Sequence, residues 1–165
     1  MRLLLVIALM FIPEKVQAKP YDVSTFQNTN QLIWDEGFRS HIQVFFGDEK
    51  GRYFWNAPVA EQVRAGFGGP SDNITQPAEN IYLASACRQH SCPEKAAYIT
   101  DGTQELFAII SFFCPNAKKQ PSYQGDGCLV IFYKNKKSRI QLSKYLVDWK
   151  NRHQKLASVE LVSVI

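Results

Sequence analysis

The sequence predicts an α+β domain: an antiparallel β-sheet meander of about five strands with helices packed on one face. Three observations carry this. Apolar residues recur at helical spacing within 34–46, 56–70 and 138–156. From Asn80 to Lys134 the period drops to two in NIYLASA, KAAYITD, ELFAIISFF and CLVIFYK. Asp101-Gly102, between the second and third of these runs, is a two-residue hairpin signal.

The elements follow in chain order. MRLLLVIALMFIPEKVQA has a basic start at Arg2, an apolar run from Leu3 to Ile12 and small residues at Val16-Gln17-Ala18. That is the layout of a secretory signal peptide, and the run is shorter than the roughly 20 apolar residues of a spanning helix. Residues 1–18 are therefore expected to be removed, leaving 19–165 as one domain without a transmembrane segment. Residues 19–33 are polar and expected to lie irregularly over the surface. In WDEGFRSHIQVFF, Phe38, Ile42, Phe45 and Phe46 share a helical face. In NAPVAEQVRAGFGGP, Asn56 is placed to cap, Pro58 suits a first turn, and Val59, Val63 and Phe67 form the stripe. After the strands and the polar turn KNKKSR, Leu142, Tyr145, Leu146, Trp149, His153 and Leu156 mark a helix. Ser138 or Ser143 is its expected cap, with Lys144, Lys150, Arg152 and Lys155 facing water. SVELVSVI is expected to form a last strand.

Charge is unevenly spread. The chain carries +4, and residues 134–155 hold eight Lys/Arg against Asp148 alone, whereas 19–133 hold nine against twelve Asp/Glu. Such a basic stretch meets an anionic surface or simply lines a solvated helix face, and export argues against nucleic acid as partner. All four cysteines lie beyond residue 18, and an even count in an exported chain reads as two disulfides. Three pairings exist. Local spacing favours Cys87–Cys92, closing a tiny loop, and Cys114–Cys128, clamping the polar excursion CPNAKKQPSYQGDGC. The triplet Asn73-Ile74-Thr75 matches a glycosylation acceptor, a weak signal at this length.

The stretch SACRQHSCPEK (85–95) concentrates the chemistry. Cys87, His90 and Cys92 are three metal-ligand types, one short of a structural zinc set, with no second cluster at metal spacing. The four-residue spacing does not suit a C-x-x-C redox centre. His90 beside Ser91 is not a nucleophile–base pair, because adjacent loop side chains diverge. His41 and His153 read as packing or surface histidines. No catalytic set is present, and no cofactor, metal or enzymatic activity is expected. What remains is a disulfide-closed loop with an imidazole near its tip, suited to a cleft lined by carboxylates.

SACRQHSC resembles the key loop of the Ivy family, bacterial periplasmic inhibitors of vertebrate (c-type) lysozyme. There a strand ending in Ser-Ala-Cys enters a Cys-Lys-Pro-His-Asp-Cys loop closed by a disulfide. Ser85, Ala86, Cys87, His90 and Cys92 match, and basic Arg88 stands where the family commonly has Lys. The close motif covers about eight residues; elsewhere the likeness is one of layout. Gln89 stands in place of the loop proline and Ser91 in place of the aspartate, and the second cysteine pair lies outside the basic family pattern. The resemblance implies a sheet with helices packed on it and a loop that enters the lysozyme cleft. His90 would bond the two catalytic carboxyl groups there, with Arg88, Gln89 and Ser91 as further contacts.

The function expected is thus a periplasmic lysozyme inhibitor, not an enzyme. Its partner would be a c-type lysozyme or, since a basic inhibitor lacks long-range attraction to strongly basic lysozymes, another muramidase. The alternative is an exported non-inhibitory adaptor, or a cell-envelope-binding module using residues 134–155. A homodimer is compatible with either.

Overall fold

The computed structural model describes residues 19–114, 127–153 and 158–165. The expected signal peptide, the interior of the polar excursion, and Lys155 and Leu156 lie outside them. The described chain runs α1 (Thr29–Trp34), α2 (Glu36–Phe46), β1 (Lys50–Arg52), β2 (Asn56–Pro58) and α3 (Val59–Gly66). It continues with β3 (Thr75–Ala78), β4 (Ile81–Arg88), β5 (Ser91–Thr100), β6 (Glu105–Ser111), β7 (Cys128–Tyr133), α4 (Lys136–His153) and β8 (Ser158–Ser163).

Strands β3 to β8 form one six-stranded sheet in sequence order, antiparallel except for the last pair. The predicted meander is present, with six strands rather than about five. Its helices divide between the two faces, α1–α3 on one and α4 on the other. The side chains dictate this. Phe107 and Ile109 of β6 join a core with Phe38, Ile42 and Val63, while Leu106, Ala108 and Ile110 join another with Leu142, Leu146 and Trp149. Every position of β6 is buried, so neither face can be left wet. The β5–β6 hairpin forms at Asp101-Gly102 as expected, but its loop runs over four residues, Asp101 to Gln104, rather than two, with Gly102 at φ +81°, a conformation that favours glycine.

Helix ends depend on local donors. Asp35 caps α2 by accepting from the Phe38 amide at 2.9 Å, and the predicted stripe of Phe38, Ile42, Phe45 and Phe46 is buried behind it. Asn28 caps the short α1, so residues 19–33 are not wholly irregular. At α3, Asn56 and Pro58 are strand residues pairing with β1, and Pro58 precedes the helix without a side-chain cap bond. The α4 cap is Asn135, accepting from the Ser138 amide at 2.7 Å, rather than Ser138 or Ser143. Lys150, expected in water, is buried beside Trp149, and its long methylene stem makes that tolerable.

Two polar devices fasten loops to this frame. The side chain of Gln62, fully buried on α3, accepts from the amides of Tyr53 and Phe54 at 2.9 Å each. It donates to the carbonyls of Gly51 and Ala57, holding the β1–β2 hairpin. Deep on the other side of α2, Glu105 takes bonds from Tyr98 at 2.7 Å and His41 at 2.6 Å. Tyr98 also accepts from the Tyr21 amide at 2.9 Å, anchoring the N-terminal strap. Burial, with the Glu105 carboxylate beside it, pushes the Tyr98 hydroxyl well above the ordinary range.

Gln62→Ala orphans several buried backbone groups and should cost roughly 1–3 kcal/mol in denaturant unfolding. Tyr21 donates its hydroxyl to Asp35. Burial and that carboxylate raise Tyr21 to about 12, and the bond holds Asp35 below its usual value. A raised tyrosine contributes stability below pH 10 that is lost as pH climbs towards 12. A lowered aspartate contributes stability that is lost as pH falls below about 4. Tyr21→Phe should therefore flatten both limbs of the stability–pH profile, as measured by urea melts from pH 2.5 to 11.

Candidate functional site

The site is the end of the β4–β5 hairpin. These strands stay in register from Tyr82↔Thr100 to Cys87↔Lys95, and then the pairing shifts to Arg88↔Ser91. Gln89 and His90 are left as a two-residue tip. Cys92, Pro93 and Glu94 make the unpaired excursion on the β5 side, where a proline without an amide hydrogen costs no ladder bond. Cys87 and Cys92 are joined, with Cα atoms 4.6 Å apart, so the disulfide spans the irregular step. Cys114–Cys128 is the second bridge. Both expected pairings form, and two disulfides mark a chain that folds in an oxidising compartment. No helix among the described residues is long and apolar enough to cross a membrane.

Gln89 and His90 are exposed, and Ser91 is half-buried. His90 has φ +63°, a left-handed conformation that a non-glycine residue holds only when its surroundings fix it. Those surroundings are clear. Arg88 Nη1 bonds Glu94 Oε2 at 2.5 Å; the arginine is 26% exposed and the glutamate not at all. The same guanidinium lies over the rings of Phe54, at 4.9 Å, and Trp55, at 5.5 Å. Arg88, expected as a contact on the cleft rim, is thus committed first to bracing the loop from below. Glu94, unnoticed in the sequence, is the buried anchor of that brace, and its Oε1 has no hydrogen-bond partner among the described residues.

The segment after α3 supports the other strand. The amide of Gly69 donates to the Cys87 carbonyl at 2.8 Å, and the Cys87 amide donates to the Pro70 carbonyl at 2.9 Å. A Cβ at Gly69 would stand 2.8 Å from the Cys87 oxygen and 2.9 Å from that of Arg88, so only glycine approaches this closely. Further down β4, the Ser85 hydroxyl donates to Asp72 at 2.6 Å and accepts from Trp149 Nε1 at 3.1 Å. Lys95 completes the set, 3.1 Å from Asp72. The loop is thus held by a disulfide, a buried ion pair and a backbone strap, and its tip is left free.

Chemically, both sulfurs of the Cys87–His90–Cys92 set are consumed in the bridge. Ser91 pairs with Arg88 across the turn while His90 is in the unpaired tip, and no hydrogen bond joins their side chains among the described residues. His41 is bonded inside the core, and His153 ends α4. The arrangement presents one imidazole on a stiff support. Comparison with known protein families, characterised proteins and solved structures finds no match to this chain.

Removing Arg88 strands a fully buried carboxylate, so Arg88→Ala should cost on the order of 3–5 kcal/mol. His90→Ala removes an exposed side chain and should change stability by no more than about 0.5 kcal/mol. Chemical denaturation of the two variants side by side separates brace from tip.

Proposed function

We propose that this protein is an exported, non-enzymatic inhibitor of lysozyme-type muramidases, acting in the periplasm by placing the Cys87–Cys92 loop in the enzyme's cleft. The observation that carries the proposal is His90. Its imidazole stands exposed at the tip of a hairpin closed by a disulfide and braced by Arg88 and Glu94. Such enzymes cut glycosidic bonds between two carboxyl groups, one protonated and one ionised. A neutral imidazole accepts a hydrogen bond at one nitrogen and donates at the other, so a single ring answers both. A loop already fixed in shape loses little conformational freedom on entering a cleft. Gln89 and Ser91 flank the ring with neutral hydrogen-bonding groups, and the Arg88 side chain, 26% exposed, adds positive charge beside the tip for an acidic rim. The likeness of SACRQHSC to the Ivy loop supports the same role.

A second reading has its own observation. Lys136, Lys137, Lys144 and Arg152 of α4 are exposed, and none forms an ion pair among the described residues. An exported adaptor, or a module binding anionic cell-envelope polymer, would use that face. Its binding would weaken steeply with salt.

Peptidoglycan hydrolysis by a c-type lysozyme, and by a second muramidase, is measured with the oxidised protein titrated in. Wild type should inhibit at least one of them, and His90→Ala should inhibit it roughly thirtyfold less well, the loss expected of a central interface residue. A folded wild type that inhibits neither removes the inhibitor role. Salt-sensitive retention on anionic polymer would then favour the α4 face.

A further inference from the structure

A second surface lies on the side of the sheet covered by α1–α3. Between α1, the start of α2 and the end of α3 runs a cleft of about 550 Å³, within the roughly 300–1,000 Å³ of small-molecule sites. Trp34, 72% exposed, forms one wall. Arg39 and Arg64 line it, together with Asn30, Phe67 and the Gly68-Gly69 backbone. No acidic side chain lines it, and neither guanidinium forms an ion pair among the described residues. The cleft thus sets two guanidinium groups against an exposed indole, a few polar groups around an aromatic wall as in ligand pockets.

We propose that this cleft binds a carboxylate-bearing saccharide. Two guanidinium groups offer the planar forks that match a carboxylate. The Trp34 indole gives a flat, amphipathic wall for a pyranose ring, and Asn30 with the glycine backbone supplies neutral groups for hydroxyl or acetamido substituents. Charge favours a single negative group. Arg64 stands in the last turn of α3, where the helix end carries partial negative charge that opposes any anion, and a doubly charged phosphate more than a single carboxylate. Two kinds of exported-compartment sugar share this chemistry: the lactyl-carboxylate sugar of peptidoglycan, where its carboxyl is free of stem peptide, and the uronic acids. The cleft does not depend on the inhibitor role, since no residue of the Cys87–Cys92 loop lines it.

The test follows the indole Nε1–H signals of the ¹⁵N-labelled, oxidised protein. Trp34, Trp55 and Trp149 give three such signals, with Trp34 assigned from Trp34→Phe. N-acetylmuramic acid and glucuronic acid are titrated separately, with N-acetylglucosamine as the neutral control and inorganic phosphate as the competing anion. At least one acid should move the Trp34 signal saturably, and which one names the source. The neutral sugar should leave it in place. Arg39→Gln and Arg64→Gln should each weaken binding about tenfold, the loss of one charged hydrogen-bonding group. Trp34→Ala, monitored by backbone amides near Arg64, should abolish binding while the rest of the spectrum keeps its dispersion. No saturable response to either acid overturns the proposal. So does an equal response to N-acetylglucosamine, a stronger one to phosphate, or affinity unchanged in both arginine variants. Lysozyme inhibition is read separately, so either proposal can fail while the other stands.

Discussion

Strands β5, β6 and β7 have almost no face turned to water, and the rest of the structure answers that constraint. Phe107, at the centre, meets Phe45 at 4.8 Å, Phe46 at 5.3 Å and Tyr98 at 4.7 Å between ring centroids. These edge-to-face and tilted contacts fasten α2 to the sheet beyond what burial alone provides. On the opposite face, Leu142, Leu146 and Trp149 of α4 close over Ala97, Ile99 and Ile131. A sheet dry on both sides makes an unpartnered polar group costly, and most that enter it are bonded. Glu105 therefore comes with His41 and Tyr98, and Ser85 with Asp72 and Trp149.

The candidate loop is a consequence of where that two-sided burial ends. Strands β4 and β5 are the longest pair in the sheet, and their regular register ends at Cys87. Beyond it burial falls away through Arg88 to the exposed Gln89 and His90. Covalent closure takes over, with Glu94 turned inward to hold Arg88 against Phe54 and Trp55. Stiffness at the tip thus comes from polar and covalent ties, which leaves Gln89 and His90 exposed instead of spending them on packing. The Trp34 cleft arises from the same geometry on the flank. Its glycine turn is the strap bonded to Cys87, so loop and cleft share a support without sharing a surface.

Much of this was legible beforehand, for identifiable reasons. The period-two runs became strands because their side chains alternate between two cores. Asp101-Gly102 became the hairpin turn because only certain residues accept its dihedral angles. The cysteine pairs followed from short spacing. Other features were not legible. Residues 34–46 read as one stretch at helical spacing, yet Asp35 takes an extended conformation that separates α1 from α2 and leaves Trp34 exposed at the end of α1. Asn135 outcompeted two serines as the α4 cap because the helix begins earlier than its apolar stripe does. Glu94 carries no local sequence signal of burial, and it is buried in the irregular step where the register shifts between β4 and β5.

The sequence by itself determined the class of fold, the hairpin carrying the site, the cysteine pairing and the histidine at its tip. These depend on periodicity, turn chemistry and short covalent spacing, all local along the chain. Tertiary structure alone decided that helices cover both faces of the sheet, that Arg88 serves the loop from beneath, and that Trp34, Arg39 and Arg64 share a cleft. Each of these brings together residues from separate elements, and their meeting is set by packing and register, to which no local pattern corresponds.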